Sequence, residues 1–157
     1  MTDYRVYVLA LWLLTALFCL RVTGQALVAF TNISFLPPME AWYSGFIPYS
    51  LLLPVQIGIL FLQVKIGMDF TRGSGWITTP RAAMGLILHW FSATYFAAMV
   101  LRYILTMIWH SDLRWFGGTI PIVFHWVLAA YVFTLGHYHR YGSRCPQQQK
   151  EASPRAC

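Results

Sequence analysis

Apolar residues run along this chain in four long blocks, at about 4–30, 46–66, 82–109 and 120–138, broken mostly by isolated polar side chains. Blocks of this length predict helices that cross a bilayer. The first block shows how firmly length constrains the reading. Val6–Leu20 alone reaches about 22 Å at 1.5 Å per residue, short of a hydrocarbon core of roughly 30 Å. The helix must therefore run past Arg21, which places that guanidinium inside the bilayer, in the half nearer the first loop. Pro48 suits the first turn of the second helix, and Pro54 is expected to kink it and free a carbonyl. Pro121 fits the opening turn of the fourth helix.

Three connections separate the blocks. The first, 31–45, holds Pro37-Pro38, Glu40 and Trp42-Tyr43. The second is expected over 65–83, with Lys65, Asp69, Arg72, Arg81 and a pliant Gly73-Ser74-Gly75. The third, 110–119, holds Asp112, Arg114 and Gly117-Gly118. Residues 139–157 read as a basic, disordered tail. Short connections make sequential helices antiparallel. The expected fold is all-α: an integral membrane up-down four-helix bundle forming one domain over 1–138.

Composition agrees, with 58% hydrophobic and only 10% charged residues. The net charge of +6 does not point to nucleic acid, because the basic residues gather in loops and tail, where they meet lipid headgroups. Lys65, Arg72, Arg81, Arg140, Arg144, Lys150 and Arg155 are seven of the eleven Lys and Arg. This bias predicts that both termini face the cytoplasm, and it suits a bacterial inner (cytoplasmic) membrane. No small-x-small cleavage site follows Leu20, so the first block reads as a retained helix rather than a signal peptide. Cys19, Cys145 and Cys157 form neither a disulfide framework nor a zinc signature.

The candidate chemistry lies in the polar residues that interrupt the blocks. Arg21 and Gln25 are i, i+4 neighbours and share a helix face. Arg102 stands about 30 Å along the third helix from Arg81 and so approaches the outer side. His125 enters the fourth helix near its outer end, and Glu40 and Asp112 lie in the outer loops. Depth thus gathers Arg21, Gln25, Arg102, His125 and Glu40 as a candidate ligand-binding group. Two guanidiniums could grip a carboxylate or a phosphate headgroup. Plainer readings stand beside this one: Arg102 snorkelling to the interface, Arg21 paired with Glu40, and His125 a satisfied core histidine.

Haem is a second candidate. His125 and His139 are fourteen residues apart, about 40° around a helix, with Gly136 on the same face. This resembles the paired histidines of the di-haem cytochrome b and cytochrome b561 families. The resemblance implies b-type haem, with ligands drawn from His89, His139, His110 and His125. Tyr103, not His, stands fourteen residues beyond His89, so at most one such site survives. No G-x-S-x-G, H-E-x-x-H or P-loop pattern occurs, and no carboxylate lies within the four blocks.

Leu20-Arg21-x-x-Gly24, an apolar stretch and the Pro37-Pro38 loop before a second span resemble the DoxX-like small four-span membrane proteins. That resemblance implies a membrane subunit or helper linked to quinone or thiol redox systems. Trp76-Ile77-x-Thr79-Pro80 is similar to the sigma-2 receptor and emopamil-binding group, whose intramembrane acidic residues are missing here. The expected function is a redox-associated or accessory membrane subunit that binds an amphipathic ligand, quinone or lipid. A haem electron-transfer protein and a structural subunit of a larger complex or homo-oligomer are the alternatives.

Overall fold

A computed structural model of the chain describes residues 4–31, 49–109 and 119–141. The elements are four helices: α1 (Tyr4–Thr31), α2 (Tyr49–Arg72), α3 (Ala82–Trp109) and α4 (Thr119–Tyr141). Three stretches, Tyr4–Phe30, Ser50–Arg72 and Ala82–Ile108, are long and apolar enough to cross a membrane.

One boundary differs clearly from the sequence expectation. Residues 65–72 are not loop but the last two turns of α2. Lys65 and Asp69 pair across one turn at 3.2 Å, while Ile66 and Phe70 on the other face are buried. The polar residues are thus the outer face of an amphipathic helix end. Gly73 stops it, with φ at 64°, a left-handed conformation that glycine adopts without strain. The Ser74 amide donates to the Asp69 carbonyl and the Gly73 amide to the Phe70 carbonyl, both at 3.2 Å. This pair of bonds is a Schellman cap. Pro54 lies inside α2, where it removes the amide that the Ser50 carbonyl would otherwise meet.

The principal packed pairs are α1 with α2, α1 with α4, and α3 with α4. Contacts between Tyr4 and Phe70 and between Gln25 and Gln56 run α1 against α2 antiparallel. Contacts from Tyr7 to His137 and from Arg21 to Phe124 do the same for α1 and α4. The seam between α3 and α4 closes on two glycines. A Cβ on Gly85 would stand 2.7 Å from the Arg140 amide nitrogen, and one on Gly136 3.0 Å from that of His89. Small residues let membrane helices approach this closely.

The buried stripe of α1 is Tyr7, Leu11, Thr15, Phe18, Val22 and Gln25, at the three-and-four spacing of a helix. Leu9, Leu13, Leu17, Leu20 and Leu27 are exposed. Polar side chains inside and leucines outside are what lipid solvent favours. Where α1 begins, an aromatic cluster fills the interior. The Phe70 ring lies 4.8 Å from that of Tyr138, which is 5.4 Å from that of Tyr7. The Tyr4 hydroxyl donates to the Phe70 carbonyl at 2.6 Å, and that of Tyr138 to the Thr78 carbonyl at 2.7 Å. Tyr7 and the His137 Nδ1 share a hydrogen bond of 2.8 Å.

Candidate functional site

The same stripe of α1 continues to Arg21 and Gln25, and there its surroundings change. Arg21 is only 6% exposed, and its guanidinium carbon sits 5.4 Å from the centre of the Phe124 ring on α4. A cation over a desolvated ring gains about 2 kcal/mol, with Phe among the weaker partners. A cation at membrane depth costs about 2.5–3.5 kcal/mol even on the mildest scale. Phe124 alone therefore does not offset the burial. Asp69 is the one carboxylate among the described residues, and it pairs with Lys65 at the far end of α2.

Tyr95 on α3 ties the group together. It lies within electrostatic reach of both Arg21 and Arg102. Its ring stands 6.0 Å from that of His125 on α4. Arg102 and His125 are half-buried. Three helices thus bring Arg21, Tyr95, Arg102 and His125 to one region. Glu40 and Asp112 lie outside the described residues.

Gln25 faces α2 rather than α3. Its Oε1 accepts a 3.1 Å hydrogen bond from the Gln56 Nε2, and both residues are buried. Gln63 lies seven residues further along α2, about 10 Å away on the same face. It is also buried, and its backbone carbonyl accepts from the Tyr131 hydroxyl of α4 at 3.1 Å. The α1–α2–α4 junction therefore carries a ladder of polar side chains about 10 Å long.

Most of that ladder has no protein partner among the described residues. Arg21 Nε, Gln25 Nε2, Gln56 Oε1 and both amide atoms of Gln63 are buried without a hydrogen bond. Each such group costs about 1–3 kcal/mol. Five together approach the full stability of a small domain, about 5–15 kcal/mol. Gln56, Gln63, Tyr95 and Phe124 are absent from the sequence-predicted site. The seven-residue glutamine spacing was the available signal. Nothing in a Tyr or Phe within an aromatic-rich span distinguishes it.

The histidines do not fit a haem between α3 and α4. Gly136, which a porphyrin would have to approach, touches α3 backbone instead. The His89 ring packs 4.8 Å from that of Phe133. The His139 Nδ1 accepts the Arg81 amide at 3.3 Å, and His137 is engaged with Tyr7. His110 lies outside the described residues, and His125 belongs to the Tyr95 group. Among the described residues no three His, Cys, Asp or Glu side chains gather as a metal site. Compared with known proteins, the chain matches no family model, no curated protein and no solved structure.

Proposed function

We propose that this chain is a small integral membrane protein that binds an amphipathic ligand through an anionic head at Arg21, Arg102, Tyr95 and His125. The observation that carries the reading is Arg21, a buried guanidinium facing an aromatic ring, with no carboxylate beside it among the described residues. An anion with two or more oxygens matches the planar donor fork of arginine. The Tyr95 hydroxyl adds a donor within electrostatic reach of both cations. An anionic lipid meets these demands better than a neutral quinone, whose carbonyls bring no charge to Arg21.

In this reading the chain is an up-down bundle crossing the membrane four times, with both termini cytoplasmic. Lys65, Arg72, Arg81 and Arg140 stand at the end where α1 begins and α4 finishes, which supports that orientation. The arginine site then opens toward the outer leaflet, and the exposed leucines of α1 meet acyl chains.

The test is lipid binding to delipidated protein in a mild detergent, followed by native mass spectrometry. Phosphatidylglycerol should bind at least about tenfold more tightly than phosphatidylcholine, a gap that charge-assisted bonds of this kind readily supply. Arg21→Gln and Arg102→Gln should each narrow it. If Glu40 were instead the counterion of Arg21, Arg21→Gln would leave lipid binding unchanged and Glu40→Gln would lower stability. That pair of outcomes would sink the proposal.

A further inference from the structure

The glutamine ladder asks for more than an anion. Arg21 Nε and Gln25 Nε2 are donors that phosphate oxygens can satisfy, while Gln63 Nε2 is a donor further along α2 that a hydroxyl oxygen can meet. Gln56 Oε1 and Gln63 Oε1 are acceptors, and a phosphate diester has no proton to offer them. Exchanging the amide ends of Gln25 and Gln56 does not change the balance. One bond joins the two side chains, and one donor and one acceptor remain. Gln25, Gln56 and Gln63 are each at least 97% buried, and all three stand at the junction of α1 with α2 and α4. Whatever occupies this junction must accept and donate.

We infer that Gln25, Gln56 and Gln63 make the site selective for an anionic head that also carries hydroxyl groups, a phosphorylated polyol. The phosphate sits against Arg21, and the polyol hydroxyls run along α2 toward Gln63, donating to the two amide oxygens. The roughly 10 Å between Gln56 and Gln63 suits a short polyol chain rather than a single hydroxyl. Beyond Gln63, the packed rings of Tyr7, Phe70 and Tyr138 fill the interior and end the run of polar side chains. This inference rests on the anion site of the proposed function and specifies its ligand.

The experiment compares two lipids with identical acyl chains on the full-length protein in detergent. Phosphatidylglycerol and phosphatidylpropanol share the phosphodiester, the single charge and the three-carbon head. Only the first has hydroxyls. Phosphatidylglycerol is expected to bind about tenfold more tightly, the gain of a pair of modest hydrogen bonds. The double substitution Gln56→Leu/Gln63→Leu should erase that preference and leave phosphatidylpropanol binding unchanged, which also shows that the variant is folded. Free glycerol phosphate is the third arm. Competition with phosphatidylglycerol assigns the site to a soluble phosphopolyol, and no competition assigns it to the lipid headgroup. Equal affinity for the two lipids overturns the polyol selectivity while leaving the anion site standing. Failure of both to bind overturns the anion site itself.

Discussion

The two ends of this helical assembly treat burial in opposite ways. Where α1 begins, Tyr7 and Tyr138 each bury a ring and still find a partner for the hydroxyl. Toward the other end, the same stripe of α1 buries Arg21 and Gln25, and Arg21 Nε and Gln25 Nε2 meet no partner within the described protein. One end is closed by packing, and the other leaves buried polar atoms unmatched among the described residues. A helix can carry both along one face because helical spacing fixes only which residues turn inward. Whether an inward polar group is satisfied depends on what the neighbouring helices present to it.

Substitutions should separate the two ends by sign as well as size. Phe70→Ala attacks the closed end at a fully buried ring and should cost about 3 kcal/mol or more in a detergent unfolding titration. Arg21→Leu should instead leave lipid-free protein as stable or more so, because it removes a buried charge lacking a described carboxylate partner. Equal losses from the two would erase the contrast. Next comes Gly85→Ala, whose new methyl group meets α4 backbone at 2.7 Å. It should lower stability by about 2 kcal/mol, read from the same titration.

Smaller effects sharpen the comparison. Tyr7→Phe leaves the His137 Nδ1 unmatched and should cost about 1 kcal/mol by thermal melting. Gln25→Leu/Gln56→Leu removes one hydrogen bond together with two orphaned atoms, and should leave the melting temperature of lipid-free protein equal or raised. The smallest effect concerns pH. His139, one residue past the fourth apolar block, is held below the ordinary histidine range by burial and then by the Arg81 cation. Its folded form binds fewer protons than the unfolded form below the unfolded value of about 6.5. Its stabilising effect is therefore full above that pH and declines as pH falls further. The melting temperature should drop between pH 7 and pH 5, and His139→Asn, which keeps an acceptor for the Arg81 amide, should flatten that drop.

Apolar block length was enough to anticipate four helices and to set Arg21 well inside the first, because a helix rises by a fixed amount per residue and a bilayer has a fixed thickness. It did not place the end of α2. Lys65, Asp69 and Arg72 resemble loop residues until Ile66 and Phe70 are seen packed on the opposite face. The shared glutamine face of α2 was also legible from the seven-residue spacing. That Gln25 meets Gln56, that Tyr95 stands within reach of two arginines, and that Gly136 receives α3 rather than a porphyrin depended on how each helix is rotated against its neighbours. Rotation is set by side-chain packing between elements distant in sequence. Depth is a one-dimensional property and can be read along the chain, whereas convergence is a property of three dimensions and cannot.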